Sequence, residues 1–264
     1  MNPYYEQDGI VIYHGDCFDV MPELYERGQS VDVMITDPPY SAHTHSKQWI
    51  GSALTADAKP RVSTAHSELG FEPITLEEMI KLCVTASAWV NRWSLIFSDL
   101  EGMGEWRSAV AESPELEYVR ACIWDKVDSA PQFTGDRPAA SAEAIICAHR
   151  KGKKRWNGGG SRNVFRHAVN GLNKGGKPHP STKPLALMRD LVFLFSDPDE
   201  VILDPFLGSG STLVAAKTLG RRGVGIESQE KWCEVAAQRI EQASRQEKIP
   251  FTGTQANMEF ANAV

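Results

Sequence analysis

The chain has 264 residues, a formal net charge of −6, 42% hydrophobic and 23% charged residues, proportions that exclude a disordered, fibrous or disulfide-stapled protein. No apolar run approaches the ~20 residues of a membrane helix, and the polar start MNPYYEQDGI lacks the pattern of a signal peptide. Five scattered cysteines, Cys17, Cys83, Cys122, Cys147 and Cys233, form no CxxC pair, which argues against a zinc site and for a reducing, cytoplasmic setting.

The run GIVIYH (Gly9–His14) predicts a short strand that Gly15 and Asp16 end, and Phe18–Tyr25 has helical spacing. Val31–Thr36 predicts a second strand, cut off by Asp37-Pro38-Pro39-Tyr40, since two prolines fit neither a strand nor a helix interior. Ser41–Phe71 is polar and without a period, which marks a mobile loop or lid. Thr75–Asn91 predicts a helix with a Thr75/Glu78 capping box. Strand Trp93–Phe97, helix Met103–Glu112 and strands Tyr118–Trp124 and Ala144–His149 follow. A helix over Lys183–Phe195, strand Val201–Leu203, a Gly-rich turn, helix Ser211–Leu219, strand Gly223–Ile226 and helix Glu230–Arg245 complete the chain, before a tail expected to be mobile. Strands alternating with helices imply an α/β fold around a mostly parallel sheet. The expected division is one domain in two halves, 1–149 and 179–248, joined by a short basic segment, 150–178, and followed by the tail 249–264.

Charge is segregated. Arg150 to Arg189 holds eleven Lys/Arg and no Asp or Glu, leaving 17 basic against 34 acidic residues elsewhere. Taken alone such a run is a solvated loop. Here Trp156 and Phe165 are interleaved with Gly, Asn and Ser, a mix able to meet phosphates and bases. Lys151, Lys153, Lys154, Arg155, Arg162, Asn163 and Arg166 are the candidate nucleic-acid contacts.

Two strand ends carry chemistry. Asp204-Pro205-Phe206-Leu207-Gly208-Ser209-Gly210-Ser211-Thr212 follows a strand and opens a helix, where glycines allow a tight turn and a close ligand. The third glycine of a dinucleotide fingerprint is replaced by Leu213, so a nucleoside fits better than a pyrophosphate. Glu227, followed by Ser228, ends the next strand at the offset from which an acid reaches ribose hydroxyls. The second end is Asp37-Pro38-Pro39-Tyr40. An exocyclic amine has its lone pair delocalised into the base ring. A carboxylate and a carbonyl accepting its two N–H groups draw the nitrogen toward tetrahedral geometry. Asp37 supplies the carboxylate, Pro38 a carbonyl without a competing N–H, and Tyr40 a flat ring for stacking.

DPPY together with DPFLGSGST resembles the S-adenosylmethionine-dependent DNA amino-methyltransferases. The early DPPY strand, the basic segment and the late Gly turn are similar to the circularly permuted β group, and HPSTKPLALMRDLV (His179–Val192) resembles the segment before its Gly turn. The resemblance runs from Gly9 to Arg239. It implies a Rossmann-like methyltransferase fold with a seven-stranded sheet and one antiparallel strand. It implies S-adenosyl-L-methionine lined by Asp204, Phe206, Gly208 and Gly210 at its methionine end and held by Glu227 at its ribose hydroxyls, with Ser209, Ser211, Thr212 and Ser228 also in the cofactor site. Asp16 and Cys17 would sit by its adenine, and Ser181, Thr182 and Lys183 by its carboxylate. Asp37, beside the cofactor, would hold the target amine with Pro38, Pro39 and Tyr40.

The implied partner is double-stranded DNA, with the target nucleotide flipped out because a paired amine cannot reach the strand ends. Asp in first position implies adenine N6, with cytosine N4 as the alternative. An RNA or protein-glutamine amino-methyltransferase is a weaker option. No metal is required, and His43, His45 and His66 read as loop residues. The oligomeric state is open, a homodimer included. Two rivals remain: an NAD-dependent oxidoreductase, which leaves DPPY unexplained, and a non-catalytic DNA-binding protein, against which the intact motifs argue.

Overall fold

A computed structural model describes residues 1–40, 73–132, 135–169 and 182–245. The loop expected over 41–71, Ser181, the end of the basic segment and the tail after 248 lie outside these residues. The strands are β1 Tyr5–Gln7, β2 Ile10–His14, β3 Val33–Thr36, β4 Trp93–Ser98, β5 Leu116–Asp125, β6 Ala142–Arg150, β7 Val164–Arg166, β8 Val201–Asp204 and β9 Arg222–Glu227. The helices are α1 Cys17–Glu26, α2 Leu76–Trp89, α3 Met103–Ala111, α4 Leu185–Phe195, α5 Ser211–Thr218 and α6 Glu230–Arg245. No helix of the described residues is long and apolar enough to cross a membrane.

The nine strands of the described residues form one sheet in the order β1-β2-β9-β8-β3-β4-β6-β5-β7. The expected seven strands run from β2 to β5, with β6 antiparallel to both neighbours and the rest parallel. The two additional strands are edges that sequence reasoning missed. β1 folds back on β2 through Asp8-Gly9, whose φ values of +50° and +79° match a two-residue hairpin turn. β7 lies parallel to β5 and inserts Phe165 into the core with no exposed surface. Phe165 is therefore not available to a base, contrary to the interleaved reading of the basic segment.

Both sheet faces are covered, as parallel sheets require. The strands alternate accordingly. On one face Met34, Ile96, Ile146, Leu203 and Ile226 pack under α1, α2 and α3. On the other Val33, Ile35, Leu95, Phe97, Ile145 and Ile202 pack under α4 and α5. α6 closes the end over β2 through Cys233, Ala236 and Ile240 against Ile10 and Ile12. The sheet interleaves the two halves of the chain, because β2 pairs with β9 and β3 with β8.

Candidate active site

Five parallel strands, β2, β9, β8, β3 and β4, end along one edge of the sheet. From β8 the chain continues to β9 on one side, and from β3 to β4 on the other. At such a reversal a crevice opens beyond the carboxyl ends of the strands. Asp204 ends β8 and Asp37 follows β3, so the two motifs stand next to each other at this crevice.

Gly208 and Gly210 have φ of +51° and +81°. A Cβ on Gly210 would lie 2.8 Å from Ala236 Cβ, so conformation and space both demand glycine there. The turn is held from three sides. Asp204 Oδ1 accepts the Phe206 N–H (3.2 Å), and Oδ2 accepts the Thr212 hydroxyl (2.5 Å). The Gly208 N–H donates to Glu227 Oε2 (2.8 Å), while Glu227 Oε1 accepts the Gln229 N–H (2.8 Å). From α6 the Arg239 guanidinium donates to the Ser209 carbonyl, to Ser209 Oγ (2.8 Å) and to Ser211 Oγ (3.3 Å). Burial pushes the Asp204 carboxyl up to about 7, over the opposing hydrogen bonds.

The neighbouring strand ends complete this side. Gly15 N–H donates to the Glu227 carbonyl (2.9 Å), and Asp16 caps α1 by accepting the Phe18 N–H (2.8 Å). The Cys17 thiol is buried, which pushes its pKa up to about 12, with the Asp16 carboxylate adding. Phe18 and Phe206 meet edge to face with centroids 6.4 Å apart. The Thr182 hydroxyl lies 3.1 Å from that of Ser209, and Ser228 Oγ lies 3.4 Å from Glu227 Oε1. Thus Asp16, Cys17, Thr182, Asp204, Phe206, Ser209 and Glu227 converge on one side of the crevice. Ser181 is outside the described residues.

Lys183 does not join them. Its Nζ donates to Asp37 Oδ2 (2.6 Å) and to the Tyr40 hydroxyl (3.0 Å), and lies 3.2 Å from Glu143 Oε2. Glu143 Oε1 in turn pairs with Lys126 Nζ (2.6 Å). Burial raises the Asp37 pKa; Lys183 opposes the rise and Glu143 adds to it, leaving the group above the ordinary carboxylate value. For Glu143 burial acts the same way, but Lys183 and Lys126 outweigh it and hold the group down to about 2. Burial would depress Lys183, yet the two carboxylates keep it above its ordinary value. Tyr40 is raised by burial and by both carboxylates. Asp37 Oδ1 is buried with no partner among the described residues. An exocyclic N–H is the kind of donor that would satisfy it.

The candidate DNA contacts are split by the sheet. β6 runs away from the crevice, so Lys151, Lys153, Lys154 and Arg155 follow its far end, roughly 20 Å from Asp37 by strand length. There Lys151 Nζ donates to the Pro114 carbonyl (2.6 Å), Lys154 pairs with Glu117 (2.5 Å) and Arg155 with Asp197 (3.1 Å). Trp156 packs on Phe195, centroids 4.8 Å apart. This half of the basic segment does not face the crevice. β7 returns toward it, carrying Arg166, which pairs with Asp125 (3.0 Å). Asn163 is tied down by donating to the Ala121 carbonyl (2.9 Å). Arg162 stays exposed between the two halves.

Sequence reasoning gave no role to Glu143, Lys126 or Arg239. Glu143 did carry a signal: it stands at the head of the buried apolar run AIICA of its strand, AEAIICAHR.

A family model described as DNA methylase, of the N6/N4 type, matches residues 31–238. The chain is 25% identical over 262 residues to the Type II methyltransferase M2.LlaDCHI of Lactococcus lactis subsp. cremoris, covering 90% of this chain and 91% of that one. Among solved structures, the M1.HpyAVI–SAM complex superposes with a TM-score of 0.65 at 24% identity, over 87% of this chain and 98% of that one. The PvuII DNA methyltransferase, cytosine-N4-specific, superposes with a TM-score of 0.67 at 13% identity, over 92% of each chain. These two structures share the fold.

Proposed function

The chain belongs to the N6/N4 DNA methylase family, and from that premise we propose that it methylates the exocyclic amine of a base flipped out of duplex DNA, adenine N6 in the first place. The cofactor is S-adenosyl-L-methionine, the molecule bound in the M1.HpyAVI complex whose fold the chain shares. The crevice fits it: a tight Gly turn after β8 and a carboxylate at the end of β9 suit a nucleoside without phosphates. Asp204, Phe206, Gly208 to Thr212, Glu227 and Ser228 would hold it, with Asp16, Cys17 and Thr182. When bound, it supplies an electrophilic methyl on a sulfonium whose leaving group is neutral.

The observation that carries the reading is Asp37 Oδ1, a buried acceptor without a partner among the described residues, one strand away from the Gly turn. Asp37 Oδ1 and the Pro38 carbonyl would accept the two amine hydrogens, Tyr40 would stack on the base, and Asp37 would stabilise the charge that develops on nitrogen. Orientation supplies most of the barrier reduction. Adenine takes precedence because Asp opens the motif; the fold shared with a cytosine-N4-specific enzyme keeps cytosine N4 as the second reading.

Sequencing of modified bases in DNA from cells expressing the chain tests this and names the base. N6-methyladenine at a defined site is expected, and Asp37→Ala should lower the rate by at least ~10²–10³-fold while cofactor affinity stays within threefold. Equal methylation by the two proteins would overturn the assignment of Asp37.

A further inference from the structure

We propose that Lys183 is a positioning residue of the methyl-transfer site: held by Glu143 on one side, its ammonium fixes the Asp37 carboxylate through Oδ2 and Tyr40 through the hydroxyl, and so presents Asp37 Oδ1 to the target amine. The inference rests on the amino-methyltransferase reading and deepens it. In sequence Lys183 belongs with the cofactor carboxylate. In the fold its Nζ reaches Asp37 Oδ2 at 2.6 Å, Tyr40 at 3.0 Å and Glu143 Oε2 at 3.2 Å.

The surroundings leave the ammonium few alternatives. The Lys183 side chain is only 9% exposed and is boxed by the rings of Phe97, Tyr40 and Trp124, whose centroids lie 5.0, 5.2 and 6.0 Å from Nζ. A buried ammonium persists only when paired. Two carboxylates compete for it, and Lys126 balances the second, so Asp37, Lys183, Glu143 and Lys126 form an alternating chain of charge. The elements involved are separate: the segment after β3, the residues before α4, the head of β6 and the end of β5. A pair with only a scaffolding role would not need to close on Asp37, whose Oδ1 is buried without a partner among the described residues.

The consequence is a signed pH dependence. Among the described residues, the groups facing Asp37 are Lys183 before α4, Tyr40 on its own segment, Glu143 on β6 and Asp204 at the end of β8. Removing the cation should move Asp37's titration up; removing the competing carboxylate should move it down.

The test uses the full chain labelled with 13C at the aspartate carboxyl carbon, with Asp37→Asn to assign the signal and Asp204→Asn to remove the neighbour that titrates nearby. In Lys183→Met the Asp37 titration is expected one or more pH units higher. In Glu143→Gln it is expected lower, and Lys183→Arg is expected to restore it. With Asp204 intact, the acid limb of kcat for DNA methylation should follow in the same directions, with S-adenosylmethionine affinity within threefold in Lys183→Met, Lys183→Arg and Glu143→Gln. Shifts of the same sign in Lys183→Met and Glu143→Gln, or no shift, would overturn the proposal. So would a tenfold loss of cofactor affinity in Lys183→Met with Asp37 unmoved, which would return Lys183 to the cofactor. If Lys183→Met does not fold, Glu143→Gln and Lys183→Arg decide. A wild-type chain that methylates no DNA would sink the functional reading, while the carboxyl titration would still judge Lys183.

Discussion

Asp204 gives the crevice a pH dependence of stability that can be read separately from catalysis. Its carboxyl keeps a proton up to about pH 7 in the folded chain, against about 3.9 for an ordinary aspartate. Between those values the native state binds more protons than the unfolded one, so this group's contribution falls as pH rises, by at most about 1.4 kcal/mol per unit. Asp204→Asn removes the dependence. The urea midpoint of the variant, relative to wild type, is expected to rise from pH 5 to pH 7.5; a difference constant with pH would refute the burial account. At Gly210 the argument is steric. Its φ of +81° costs a residue with a side chain ~1–2 kcal/mol, and the 2.8 Å approach of Ala236 Cβ adds to that. Gly210→Ala should therefore lower both the unfolding midpoint and calorimetric affinity for S-adenosylmethionine; unchanged values in both would show that the turn tolerates a side chain. Asp37, Tyr40, Gly208 and Gly210 could be singled out as candidates because each motif is contiguous. The partnership of Lys183 with Asp37 was not, since 146 positions separate them and only the fold joins them.

At the scale of elements, periodicity located every helix of the described residues, with ends displaced by two residues at most. α2 shows why local rules worked. Thr75 Oγ1 accepts the Glu78 N–H (3.2 Å), and Glu78 Oε2 accepts the Thr75 N–H (2.8 Å), a reciprocal cap written in four adjacent residues. Thr75→Ala should cost about 1 kcal/mol in urea unfolding, with Ser restoring most of it. The two missed strands failed for different reasons. β1 is short and polar, but its Asp8-Gly9 turn was a readable hairpin signal. β7 is three residues inside a basic stretch, and only its parallel pairing to β5 makes Val164–Arg166 a strand. Its apolar center, Phe165, looked like a ligand-facing aromatic because nothing local distinguishes a buried ring from an exposed one.

For the whole molecule, the sheet divides a charge run that is continuous in sequence. Lys153, Lys154 and Arg155 sit at the amino ends of the parallel strands, and Arg166 sits near the crevice. Each lysine or arginine that neutralises a phosphate adds about −0.9 to the slope of log K against log salt. Lys153, Lys154 and Arg155 changed together to Ala should leave that slope unchanged within half a unit. Arg166→Ala should make it shallower by up to about one. A triple variant shallower by two or three units would put the far edge on DNA.

The interleaving of the sheet also sets a timetable for birth on the ribosome. β3 has β8 as one neighbour, and β2 reaches the rest of the sheet only through β9. Both partners are made last. At ~5–20 residues per second the nascent chain waits on the order of ten seconds or more between β3 and β8. During that wait β3 keeps one bare edge, and the β1–β2 hairpin has no sheet to join. Pairings so distant in sequence are slow to close. The crevice, with Asp37 on one lip and Asp204 on the other, cannot exist before β8 emerges, and Glu227 joins it only with β9. A chain whose synthesis stops short of β8 therefore carries the whole DPPY motif without the Gly turn that stands beside it in the finished sheet.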